Sequence, residues 1–450
     1  MARRLRTKLF VAATAAAATT ALVLPGAAAA APSQQGTQDR HVSYHQWQGE
    51  RALRQGQTDG TRVLGRELRL GRHTEPFSYT DPFGDSGART YDSGTWTSPV
   101  KQLDFGATEA VASWNARTPT GTWLQVQMRG RRANDPGWTK WYIMGRWASG
   151  DDYAKGDIHR TSVPSQGDDD GYIAIDTFKA SDGTSIDAYQ LRVTLLRPEG
   201  SHATPRLAKI GLMASRLPDT ETVPTSDFTL DKRVALEVPE FSQDEHVGHY
   251  PQYDNGGEAW CSPTSTTMVL YRWGKKPTAR QLAWVDPSNA DPQVDYSARY
   301  TYDYQYEGCG NWPFNAAYAA TYHGLDTLIT QIHSLNEAER LVAHGIPVVC
   351  SVSFYASELD GAGYNTSGHL LVIVGFTDDG DVIVNDPASA DDSKVRHVYK
   401  RHQFETIWLR TQRHLDDGSV GSGTGGIAYL YKAWHHPWPQ VTDRHNPNWG

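Results

Sequence analysis

Between residues 76 and 216 the chain alternates apolar and polar positions in short runs and has almost no helical periodicity. The runs at 123–128, 139–142, 172–175, 189–195 and 207–213 are broken by turn-forming clusters such as Asn134-Asp135-Pro136-Gly137. A period of two buries one face of a strand, and many short strands at this spacing pack as a β-sandwich. The polar stretch 31–75 ahead of it reads as a lead-in. Residues 217–232, with Pro218, Pro224 and many acidic and hydroxyl side chains, read as a linker. From 233 to 450 the pattern changes to an α+β layout. Helices are expected at 263–273, 312–322 and 334–344, the last opened by a Ser334/Glu337 capping box. Strands are expected at 346–354, 369–376, 381–385, 395–399 and 426–431. The two halves are expected to fold separately, joined at the linker.

Residues 1–30 have the order of a signal peptide. Arg3, Arg4, Arg6 and Lys8 precede an alanine-rich apolar run that ends in small residues. The mature protein is therefore expected to be secreted. No later stretch approaches the ~20 apolar residues of a membrane helix. A net charge of -8 argues against a nucleic-acid partner, which needs a basic face. Three cysteines, Cys261, Cys309 and Cys350, are too few for a disulfide scaffold and form no C-x-x-C metal motif. A Cys309–Cys350 bridge and three independent thiols are both compatible with the sequence.

Three segments carry candidate chemistry. Cys261 lies in Trp260-Cys261-Ser262-Pro263, and proline favours the first turn of a helix. Backbone N–H groups and the helix dipole stabilise a thiolate at such a place. His369 follows Gly368 at the start of an apolar strand, in position to act as a base. Asp386, in Asn385-Asp386-Pro387, ends the next strand, where its carboxylate can orient an imidazole. A tight turn at Asp379-Gly380 would set Asp386 opposite Ile373, four residues from His369 and ~13 Å away at the strand rise. Pattern alone does not bring the two together.

Gly368-His369-Leu370-Leu371-Val372 followed by Asn385-Asp386-Pro387-Ala388, with a helix-opening cysteine upstream, resembles cysteine peptidase family thirty-nine. The resemblance covers about 233–410. These are the double-glycine leader peptidases, and the resemblance implies a papain-like fold and the order Gln, Cys, His, Asp. It makes Gln243 the oxyanion-hole donor, with Gln252 as a rival. Two features depart from the family: Ser262 stands where a glycine often follows the cysteine, and Gln243 lies 18 positions before Cys261. The implied function is a secreted cysteine peptidase acting on peptides or proteins, with Cys261 as nucleophile, His369 as base, Asp386 as orienting group and Gln243 at the oxyanion. No cofactor or metal is implied. Two other readings use the same residues: a peptidoglycan amidase or acyl transferase, and a wall-binding protein that no longer turns over.

The N-terminal half carries Trp96, Trp114, Trp123, Trp138, Trp141 and Trp147. Trp138 and Trp141, three apart, would point to opposite faces of a strand. One is then outside the core and offers a platform for a cell-wall polymer. Trp312, at the start of the second expected helix, is a candidate for the cleft lining.

Overall fold

The computed structural model describes residues 40–450; the signal-peptide expectation for 1–30 lies outside the described residues. Two seven-stranded antiparallel sheets make up the N-terminal half. In the first, the strands Glu109–Arg117 and Arg206–Arg216 pair, and the short strands Gly171–Ala174 and Thr177–Ala180 form a hairpin at one edge. In the second, Ile186–Pro198 pairs with Trp123–Arg132 on one side and Arg89–Thr97 on the other. The inward faces meet where Trp47 contacts both Trp96 and Tyr189 edge to face, a favoured aromatic geometry. The expected β-sandwich is therefore present.

It starts earlier than the alternation at 76 suggested. Within the stretch read as a lead-in, His41–Gln48 is a strand paired along its whole length with Arg206–Arg216. Val42, Tyr44 and Trp47 are buried there, enough apolar surface to hold a segment of otherwise polar composition.

Trp138 and Trp141 do not take opposite faces. Trp138 makes only an isolated bridge and the next regular strand begins at Tyr142, so strand alternation does not apply between them. Both rings are half-buried, with the Arg129 guanidinium 4.5 Å from one centroid and 4.7 Å from the other. Trp96, Trp114, Trp123 and Trp147 are core residues.

The C-terminal half is a papain-like α+β unit. Its seven-stranded sheet runs in the order Leu325–Gln331, Ile427–Ala433, Val348–Phe354, Thr366–Phe376, Val382–Asn385 and Arg396–Tyr399, with Val234–Ala235 added to Thr366–Phe376. The helix Cys261–Arg272 packs on this sheet, with the Ser265 hydroxyl donating to the Leu370 carbonyl at 3.0 Å. The expected helices appear at Cys261–Arg272, Trp312–Ala320 and Leu335–Ala343. The third has no capping box: Ser334 makes no side-chain cap bond, because the Glu337 carboxylate is buried and accepts from the His333 and Asn448 N–H groups.

The halves share one core, and residues 40–450 lie within one compact unit. Phe314 of the helix Trp312–Ala320 packs between Trp114 and Trp147 of the sandwich. Lys209, fully buried, is ion-paired with Asp326 across the boundary. Residues 217–232 have no regular structure, but Ser226 and Thr229 bond to Glu405 and Glu339. The expected separation at the linker is thus not what the packing supports: apolar and charged groups of each half are buried by the other.

Candidate active site

The helix Cys261–Arg272 begins at the cysteine itself, two residues before Pro263. Trp260 caps it from a buried position, its indole N–H donating to the Tyr253 carbonyl at 2.6 Å. Cys261 is half-exposed and faces a cavity of about 640 Å³. Ser262, the departure from glycine, points away from the cleft and shares a 3.0 Å hydrogen bond with the Tyr429 hydroxyl. The other two thiols are buried and unbridged, so the Cys309–Cys350 disulfide does not form. Burial pushes both well above the ordinary thiol range, which leaves them protonated and inert.

Gln243 lies against the segment that leads into Cys261. Its side-chain N–H donates to the Glu258 carbonyl at 2.9 Å, and its main-chain N–H donates to the Pro387 carbonyl at 2.9 Å. One residue thereby ties the approach to the cysteine to the loop after Asp386. Gly257 makes this approach possible: a Cβ there would stand 2.3 Å from the Gln243 carbonyl oxygen and 2.4 Å from the His246 carbonyl carbon. Gln252, the rival, is exposed and does not line the cavity.

His369 Nε2 donates to Asp386 Oδ1 at 2.7 Å. The ~13 Å separation expected from ideal pairing is removed by two one-residue steps. The turn closes with the Thr377 N–H on the Asp381 carbonyl, so three residues rather than two lie within it. A bulge between Ile373 and Gly375 then shifts the ladder again, giving Val372 opposite Asn385. Asp386 therefore continues opposite Leu371, on the His369 side of the strand and two residues nearer than expected.

The second nitrogen of the ring is left free of Asp386, and His369 lines the same cavity as Cys261. Asp386 is fully buried and well supplied with donors: the Tyr364 hydroxyl at 2.8 Å, the Tyr399 hydroxyl at 2.9 Å and the Ala388 N–H at 3.1 Å, besides His369. A buried carboxylate without such partners would be costly. Burial opposes its charge, but the imidazole and the two phenols hold its pKa below the ordinary value. Burial likewise opposes the charged imidazole, yet Asp386 and Cys261 outweigh it and raise His369 to about 10. Asn385 faces elsewhere, donating to the Pro239 carbonyl at 3.0 Å and accepting from Arg396 at 2.6 Å. Sequence reading missed Tyr364 and Tyr399; neither stands in a motif.

The cavity has walls from both halves. Ser351, Tyr364 and Trp312 line it from the α+β unit, and Glu109, Val111 and residues 174–177 from the sandwich. Two other clusters hold potential metal ligands, which spacing could not reveal because they meet only in the fold. His246, His249 and Asp295 bring ligand atoms within 4.8 Å of one another, as do Glu245, Asp291 and Asp392. In the first, the His246 ring bonds to the buried Asp295 carboxylate at 3.1 Å, tying the Gln243 segment to the helix Pro292–Thr301.

A cysteine opening a helix against a strand-borne histidine, on this α+β architecture, is the arrangement of the papain-like class. The Peptidase C39 N-terminal domain model matches residues 43–215, and the Peptidase C39-like family model matches 235–415. The two halves are thus each similar to a part of peptidase family C39, the first to its N-terminal domain and the second to the C39-like domain. No curated protein matches it. Among solved structures, it is similar to one described as a C39-like peptidase from Bacillus anthracis, 18% identical, covering 46% of this chain and all of that one, with a TM-score of 0.29. It is also similar to carbohydrate-binding modules of the β-sandwich superfamily, 8% identical over 39% of this chain and 57% of that one, TM-score 0.16. A third is the CBM22-1–GH10 portion of xylanase 10B from Clostridium thermocellum, 10% identical over 46% of this chain and 34% of that one, TM-score 0.16. At such scores none of the three bears on what this chain binds.

Proposed function

We propose that the protein is a cysteine peptidase that cleaves peptide or protein amide bonds. The observation that carries this reading is His369, bonded through Nε2 to the buried Asp386 and lining the same cavity as the half-exposed Cys261. The Cys261 thiolate adds to the scissile carbonyl. The Gln243 side-chain N–H not used by Glu258, with the Cys261 N–H, receives the oxyanion. The His369 imidazolium gives its proton to the leaving amine as the C–N bond breaks, leaving a thioester. The neutral ring then takes a proton from water, which attacks the thioester; the C–S bond breaks, the acid product leaves and the thiolate–imidazolium pair is restored. Asp386 holds the ring in the required tautomer throughout.

The decisive experiment digests a denatured protein mixture with wild type and with Cys261→Ala, and maps new termini by mass spectrometry. Termini made by wild type alone support the reading; identical digests refute it. The basic, alanine-rich residues 1–30 support export, so the expected substrates lie outside the cytoplasm. This is tested by looking for a chain shortened by about thirty residues in culture medium.

The half-exposed pair Trp138 and Trp141 favours a second role, attachment of the sandwich to a wall polymer. Arg129 lies over both rings and Arg192 over Trp141 at 4.0 Å, so the pair offers half-exposed aromatic surface beside hydrogen-bond donors, a combination that suits a sugar. Retention of the full-length protein on purified cell wall, lost in Trp138→Ala/Trp141→Ala, tests it.

A further inference from the structure

The hairpin made by Gly171–Ala174 and Thr177–Ala180 ends in a turn of unusual chemistry. Ala174 pairs with Thr177, leaving Ile175 and Asp176 at the tip. Ile175 has φ +61°, and the Asp176 N–H closes back on the Ala174 carbonyl at 2.7 Å. This is a γ-turn of positive φ, a rare and strained form. Hairpin tips needing positive φ are normally given glycine or asparagine, and a β-branched residue there is an outlier. The strain is not repaid by burial of the isoleucine, which is 40% exposed. Strained, exposed apolar residues of this kind gather where a ligand is held.

The tip is also fixed in place. Asp176 is buried and accepts from the Trp312 N–H at 2.7 Å, at the N-terminus of the helix Trp312–Ala320. The strand behind it pairs with Glu109–Arg117, Thr177 opposite Val111. At the other end of the hairpin, Arg132 bonds Asp170 through two nitrogens at 2.6 and 2.7 Å. Residues 174–177 and Trp312 line the same cavity as Cys261, His369 and Gln243.

We propose that this hairpin is a specificity wall of the peptidase cleft. Ile175, with Trp312, forms an apolar subsite for an aliphatic or aromatic side chain of an extended peptide beside the scissile bond. Asp176 is the positioning residue that holds the tip over the cleft. The N-terminal sandwich then belongs to the substrate site while supplying no group to the chemistry. This rests on the peptidase reading above, and the test separates the two.

The test uses the full-length protein and two kinds of thiol probe. Iodoacetamide reports only on Cys261 and its immediate surroundings. A set of dipeptidyl acyloxymethyl ketones, with Gly, Leu, Phe, Lys or Glu next to the reactive carbonyl, reports on the cleft. Rates of Cys261 alkylation are read by peptide mass spectrometry, with buried Cys309 and Cys350 as internal controls. Wild type should prefer Leu and Phe over Gly by about tenfold or more, the size of effect an apolar pocket gives. Ile175→Gly, which relieves the backbone strain, should lose that preference with an unchanged iodoacetamide rate and a melting temperature no lower than wild type. Asp176→Ala should lose the same preference through a displaced tip. Unaltered ranking of the ketones in Ile175→Gly would overturn the proposal. So would a wild type that reacts readily with iodoacetamide yet does not discriminate among the ketones, while the peptidase reading would stand. If iodoacetamide modifies Cys261 no faster than the buried thiols, the peptidase reading falls and takes the specificity wall with it.

Discussion

Asp386 reaches His369 across 2.7 Å because a three-residue turn and a bulge at Ile373/Gly375 together move the strand register by two residues. A shift of one would have turned the carboxylate to the other face. The contact on which the proposed chemistry depends therefore rests on two local irregularities in one hairpin.

Removing each proposed catalytic residue should have a graded effect on peptide cleavage. Cys261→Ala should abolish it with the fold intact, because the thiol is half-exposed and alanine suits a helix. His369→Ala should lower kcat by ~10²–10⁴. Asp386→Ala should cost less in rate but more in stability, since the Tyr364 and Tyr399 hydroxyls lose their acceptor in a buried site. Steady-state kinetics and thermal melts on the three variants check this ordering. Full activity in Asp386→Ala would remove it from the mechanism.

The His369–Asp386 pair sets an expected pH window. His369 is raised from 6.5 to about 10, so its stabilising contribution is complete below pH 6.5 and is lost as pH rises through about 10. Asp386 is lowered from 3.8, so its contribution is present above pH 3.8 and is lost as pH falls below that. The melting-temperature advantage of wild type over Asp386→Asn should be largest between these limits and shrink on either side. The alkaline fall of kcat/KM should shift toward pH 6.5 in Asp386→Asn, because the main upward influence on the ring is gone. An alkaline limb that does not move would contradict the pairing.

Gln243→Ala should lower kcat by ~10²–10³ with a smaller change in KM, as loss of an oxyanion donor does. Alkylation of Cys261 by iodoacetamide, which builds no oxyanion, should be unaffected. Gly257→Ala should also lower kcat, because the new methyl would stand 2.3 Å from the Gln243 carbonyl oxygen and force the two segments apart. Rates of cleavage and alkylation, measured side by side, separate an oxyanion effect from a disturbed nucleophile.

The shared core predicts that residues 230–450 alone will not form a cooperative fold. Phe314 would lose Trp114 and Trp147, and Asp326 would lose Lys209. In the full chain, Lys209→Ala should destabilise, but by less than the ~3–5 kcal/mol of a wholly unpaired buried charge, because Lys432 stays 3.6 Å from Asp326. Denaturant melts of the fragment and the variant check both. A fragment that unfolds with a sharp transition would show that the halves are independent.

Local chemistry made part of this protein legible from its residues. The period-two runs announced the sandwich, and Cys261 before Pro263 announced a helix-opening thiol. His369 and Asp386 each stood at the end of a strand that could be read from its apolar run. Resemblance, not spacing, linked Gln243 to them. The strand His41–Gln48 is not legible in its own polar composition, and its place in the sheet comes from pairing with residues far along the chain. Only the tertiary structure decided the His369–Asp386 register, the close approach of Gln243 permitted by Gly257, and the Tyr364 and Tyr399 support for the carboxylate. It also decided that a hairpin of the N-terminal half walls the cleft. The reason is physical: a residue's hydrophobicity and backbone preference act within a few positions. A bulge, a turn length or an interdomain contact is chosen by packing that sums over both faces of a sheet and over residues hundreds of positions apart.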